Sequence, residues 1–99
     1  MTQENKKNQK QLQIKANDEV LAGNYANAVQ IVHTEEEFVL DFMSVFPPAG
    51  TLNNRSIISP AHAKRLLVSL QKNIDMYEKK FGVIKEAQGP DTVNGFPVR

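Results

Sequence analysis

Apolar and polar residues alternate along several stretches of this chain and recur at helical spacing along one. In Gln11–Ala16, Leu12, Ile14 and Ala16 interleave with Gln11, Gln13 and Lys15. That alternation predicts a half-buried strand at a sheet edge. Asn17–Asn24 reads as a connector, because Asp18 and Glu19 are poor strand formers and Gly23-Asn24 is turn chemistry. Tyr25–His33 predicts a second strand, with Tyr25, Val29 and Ile31 on one face and Val32 with two alanines on the other. Thr34–Glu37 is a short acidic turn, and a link this short makes the next strand antiparallel. The third strand runs from Phe38 to about Phe46. Pro47–Asn54 ends it, since two prolines cannot both stay in a ladder. Arg55–Ser59 predicts a short fourth strand.

Ser59–Gly82 carries the helical period. Ala63, Leu66, Leu70, Ile74, Tyr77 and Phe81 recur at spacings of three and four, and Leu67 widens the stripe. Ser59 suits the N-cap, Pro60 the first helical position and Gly82 the stop. Lys79 and Lys80 fall in the last turn, where cations complement the dipole. The predicted fold is α+β: a four-stranded antiparallel sheet followed by one long C-terminal helix, in the order β-β-β-β-α. Residues 11–84 form the single domain. The polar residues 1–10 and the aperiodic, Gly- and Pro-containing residues 85–99 read as disordered or flexible tails.

The third strand, EFVLDF and beyond, is apolar on both faces. Phe38, Leu40, Phe42 and Phe46 point one way, and Val39, Met43 and Val45 the other, with Asp41 among them. One helix of about 22 residues, roughly 33 Å long, covers one face of such a sheet. Leaving the other in water would expose a larger apolar patch than monomers usually carry. The pattern therefore predicts a homodimer or larger oligomer joined through the sheet, with Val39, Asp41, Met43 and Val45 as interface candidates. The alternative cover is the N-terminal strand and connector.

Composition narrows the class. The chain has 99 residues, 40% hydrophobic and 23% charged, with a net charge of +1, so no global field draws it to nucleic acid or an acidic membrane. It has no cysteine, which excludes disulfides and thiolate metal sites. No apolar stretch follows the polar start, and none approaches the roughly 20 residues of a membrane helix. A cytoplasmic location is the expectation.

The stretches NYANAVQIVHTEEEFVLDF and RSIISPAHAKRLLVSLQKNIDMYEKKFG resemble a family of short prokaryotic proteins known as a domain of unknown function. The resemblance covers about residues 11–84 and rests on Tyr25 and Asn27, Glu37–Phe42 and Ser59–Leu66. The chain departs from the pattern in PPAGTLNN, where family members usually carry a longer basic loop. The predicted topology is also similar to that of SecB export chaperones. That likeness implies an oligomer holding unfolded chains on apolar grooves, and it is a fold-level analogy.

Candidate chemistry is sparse. His33, Glu35, Glu36, Glu37 and Asp41 invite a metal or acid–base reading, yet consecutive glutamates in a turn splay apart, while hard metals need convergent oxygens. Asp41 interrupts an apolar strand and calls for a basic partner, Arg55 or Arg65. At the helix start, Ser59, His62, Lys64 and Arg65 outline an N-terminal cap and a candidate anion site. The plainer role for His62 is packing there. The serines lack a nucleophile-elbow context, and the scattered glycines form no phosphate loop. Arg55, Lys64, Arg65, Lys72, Lys79 and Lys80 outline a basic stripe, interrupted by Asp75 and Glu78. No cofactor, metal or catalytic residue is predicted, and no enzyme. The expectation is a homo-oligomeric module that binds a protein or peptide. The alternative is a nucleic-acid accessory protein using the basic helix face.

Overall fold

A computed structural model describes residues 11–86. The predicted tails at 1–10 and from 87 onward lie outside the described residues. The elements are α1 (Asp18–Ala22), β1 (Ala28–His33), β2 (Phe38–Phe46), β3 (Ala49–Ile58) and α2 (Pro60–Phe81). The three strands form one antiparallel meander in the order β1-β2-β3. The fold is α+β with a C-terminal helix, as the periodicities imply, but the described residues hold three strands rather than four.

Two expectations shift at the N-terminal side. Gln11–Ala16 is exposed and joins no ladder, because alternation alone supplies no partner strand. The connector contains a single helical turn, α1. Asn17 caps it by accepting from the Val20 N–H, and Asp18 and Glu19 sit in the first turn. There their charge suits the dipole, although it disfavours a strand.

Thr34 organises the β1–β2 turn. Its N–H donates to the Glu37 carbonyl at 2.9 Å, while its hydroxyl accepts from the N–H groups of Glu36 and Glu37. The side chain thus satisfies donors that a tight turn would leave to water. The β2–β3 connection is shorter than expected. Pro47 and Pro48, joined by a cis peptide bond, form the turn, and β3 starts at Ala49. The stretch read as a connector and the short fourth strand are therefore one ten-residue strand. Its polar residues Thr51, Asn53 and Asn54 are tolerated because β3 is an edge strand. A bulge opposite Phe42 and Met43 leaves Asn53 without a strand partner.

The core is small and centred on β2. Ala28 and Met43, directly opposite one another on β1 and β2, are buried, with Val45 and Leu52 packed against them. Leu40 is buried on the other face. Both faces of β2 are therefore buried at its centre.

The helix follows its capping chemistry but not its expected place. Ser59 accepts from the His62 N–H at 3.1 Å, Pro60 opens the first turn, and Gly82 ends the helix at φ 99°. None of its residues is buried, and α2 does not pack extensively on the sheet. Only Ser59 separates Ile58 of β3 from Pro60 of α2. Turns between strand and helix usually take two to six residues, and one residue leaves no slack to fold the helix back.

Candidate functional site

The alternation of β2 sets Val39, Asp41, Met43 and Val45 on one sheet face. Their cross-strand neighbours are Val32, Gln30 and Ala28 from β1, and Ile57, Arg55, Leu52 and Gly50 from β3. Met43 is part of the core described above. Val39 and Val45 are half-buried, and Val32 and Ile57 at the rim are exposed. The face therefore has a covered centre and an open apolar margin.

Asp41 lies in the covered centre. It is 1% exposed and is held by Arg55, whose Nε donates to Oδ1 at 2.7 Å and Nη2 to Oδ2 at 2.8 Å. Of the two cations considered for this role, Arg55 is the partner because the hairpin register sets it directly opposite. The hydrogen bonds from Arg55 hold the Asp41 carboxyl below its usual range. Burial opposes them, and the guanidinium charge adds to the lowering. Arg55 is raised in turn by the same hydrogen bonds and by the Asp41 charge. Beside the pair, opposite Asp41 on β1, Gln30 Oε1 is buried without a hydrogen-bond donor. A buried acceptor left unpaired is costly.

A second polar cluster ties the chain entering β1 to the sheet. The Asn27 carboxamide donates to the Val45 carbonyl at 3.0 Å and accepts from the Val45 N–H at 2.8 Å. It thereby continues the ladder with a side chain in place of a backbone unit. The Tyr25 carbonyl accepts from Ser44 Oγ and from Asn53 Nδ2, and Asn53 also donates to Ser44. The sequence marked Asn27 only through the family resemblance and gave Ser44 and Asn53 no role. The available signal was an asparagine two residues after Tyr25 at the mouth of an apolar strand.

The other candidates stay apart. His33 stacks on Phe38 across the hairpin end, with ring centroids 5.2 Å apart, on the face opposite Asp41. Glu35, Glu36 and Glu37 are exposed, and no group of three or more metal-ligating side chains converges among the described residues. At the start of α2, Ser59 is occupied as the cap, and Arg65 Nη2 donates to His62 Nδ1 at 3.3 Å. Lys64 and Arg65, with Val68 and Ser69, line an open groove of about 330 Å³ formed by the helix alone.

The fold and its polar clusters define a small α+β module whose buried polar groups serve architecture. The chain belongs to the family described as a protein of unknown function (DUF3467), whose model matches residues 1–86. No curated protein and no solved structure matches it. No helix among the described residues is long and apolar enough to cross a membrane.

Proposed function

We propose that the protein is a homo-oligomeric interaction module that holds a protein or peptide segment. The observation that carries this reading is the exposed apolar surface of a helix that does not use its own sheet. Leu67, Leu70, Tyr77 and Phe81 are exposed on α2, and Ile31, Val32, Phe46 and Ile57 on the sheet. Surfaces of this extent mark interaction sites in soluble proteins. Two separate surfaces allow one to serve self-assembly and the other a partner. The half-exposed Arg55 side chain offers a partner a polar anchor among the apolar residues. A chaperone-like role, holding unfolded chains, is the strongest form of this reading.

Sedimentation of the full chain at low micromolar concentration, with binding of an apolar peptide at low and moderate salt, tests it. The expected result is a dimer or larger species with peptide binding that survives the salt. A folded monomer that binds no peptide would overturn it. Retention on DNA or RNA that falls steeply with salt would instead favour the basic helix face, since counterion release governs such binding.

A further inference from the structure

The apolar side of α2 is more specific than simple amphipathicity. Ala63, Leu67, Leu70, Ile74, Tyr77 and Phe81 follow at spacings of four, three, four, three and four. This is a 3.5-residue period, the seam of a left-handed coiled coil. Leu67, Ile74 and Phe81 take one core position of the heptad, and Ala63, Leu70 and Tyr77 the other. The seam is open in the single chain: Leu67 is 64% and Phe81 65% exposed.

We infer that α2 pairs with α2 of a second copy of this chain as an antiparallel coiled coil centred between Leu70 and Ile74. This rests on the self-assembly reading above and assigns its interface to the helix. Side-chain size favours the antiparallel orientation. It sets Leu70 against Ile74, Leu67 against Tyr77, and Ala63 against Phe81 of the second copy. The smallest seam residue then meets a bulky ring, so the layers fill evenly. A parallel, in-register pair would oppose alanine to alanine at one end and crowd two phenylalanines at the other.

Charge favours the same orientation. Lys64, Gln71 and Glu78 border the seam at seven-residue intervals. In the antiparallel pair Lys64 faces Glu78 of the second copy, twice by symmetry, and Gln71 faces its own counterpart. One Glu78 oxygen accepts from the Ile84 N–H, which leaves the other for the lysine. In a parallel pair Lys64 and Glu78 would stand about 21 Å apart along the axis, at 1.5 Å per residue. Opposed helix dipoles add to the preference.

Charge reversal in the full chain tests this, with circular dichroism to confirm that each variant is folded. Lys64→Glu alone sets glutamate against Glu78, and Glu78→Lys alone sets lysine against Lys64. Each variant is expected to raise its dimer dissociation constant about tenfold or more through like-charge contacts. Mixed together, the two variants are expected to form a heterodimer as tight as the wild type, because both symmetry-related pairs become attractive again. Ala63→Cys provides an independent readout in a chain without cysteine. In the antiparallel pair the two introduced thiols lie about 27 Å apart at 1.5 Å per residue, and no intermolecular disulfide should form on oxidation. Rapid disulfide formation by that variant would overturn the orientation. A wild-type dimer indifferent to both reversals would overturn the helix interface while leaving self-assembly standing. A wild-type monomer would overturn both.

Discussion

Asp41 is sealed in the centre of the sheet while Arg55, which grips both of its carboxylate oxygens, keeps half of its side chain in water. The pair is therefore asymmetric. Removing Arg55 strands a buried charge, whereas removing Asp41 frees a cation that water can solvate. Arg55→Ala is expected to lower the melting temperature more than a double replacement, Asp41→Leu with Arg55→Met, that leaves no unpaired charge. Thermal unfolding of the two proteins side by side checks this ordering.

The same pair fixes a pH dependence. The folded-state pKa of Asp41 lies below its ordinary value of 3.8, so the unfolded chain takes up the proton first as the solution is acidified. The stabilisation is complete above the unfolded value and is lost as pH falls through the lower folded one. Below about pH 4, where an ordinary aspartate titrates, the wild type should lose stability more steeply than Asp41→Asn. Urea midpoints at a series of acidic pH values give the comparison, and identical slopes would refute it.

Asn27 lends its side chain to the β1–β2 ladder through both polar atoms. Asn27→Asp keeps the acceptor but cannot donate to the Val45 carbonyl when ionised. Asn27→Ala leaves both Val45 groups without their partner. Each is expected to cost about 1–3 kcal/mol, the range for stranded polar groups, with faster hydrogen exchange at Val45. Unchanged exchange there would show that water replaces the carboxamide.

Leu70 and Met43 should respond differently to protein concentration. Met43 is 7% exposed within one chain, whereas Leu70 is 55% exposed. Met43→Ala is expected to cost about 2–5 kcal/mol at any concentration. Leu70→Ala should act mainly through association, so its loss in melting temperature should grow where the wild type is assembled and its variant is not. Melting curves over a hundredfold dilution separate the two.

Thr34 should govern the hairpin end. Thr34→Val keeps the shape and removes the acceptor for the Glu36 and Glu37 N–H groups. A cost of about 0.5–1.5 kcal/mol is expected for this exposed site, read by denaturant unfolding.

Local chemistry made some elements legible in advance and left others hidden. The β2 boundaries, Phe38–Phe46, follow from an acidic turn on one side and two prolines on the other. The helix carries its own limits in Ser59, Pro60 and Gly82. Features that depend on distant residues were less readable. Gln11–Ala16 alternates like a strand but finds no neighbour, and Thr51–Asn54 looks like a loop until the two-proline turn lays it along β2. Asp41 plainly needed a cation, but only the register chose Arg55. The largest departure, a helix that leaves its sheet, traces to the one-residue link at Ser59, whose capping role was legible and whose consequence for helix direction was not. The polar cluster of Asn27, Ser44 and Asn53 joins residues from three segments that no short window contains.

That one-residue link also bears on valency. Sheet and helix follow one another with only Ser59 between Ile58 and Pro60, so the helix leaves the sheet as an arm whose direction is set by the backbone of that one residue. If two such arms pair antiparallel as proposed, the sheets would stand near opposite ends of a rod about 33 Å long. A ligand offering two binding segments at that separation would be gripped at both ends and gain avidity from effective concentration alone. One with a shorter reach would engage a single end. The link would then act as a ruler that selects partners by the spacing of their segments.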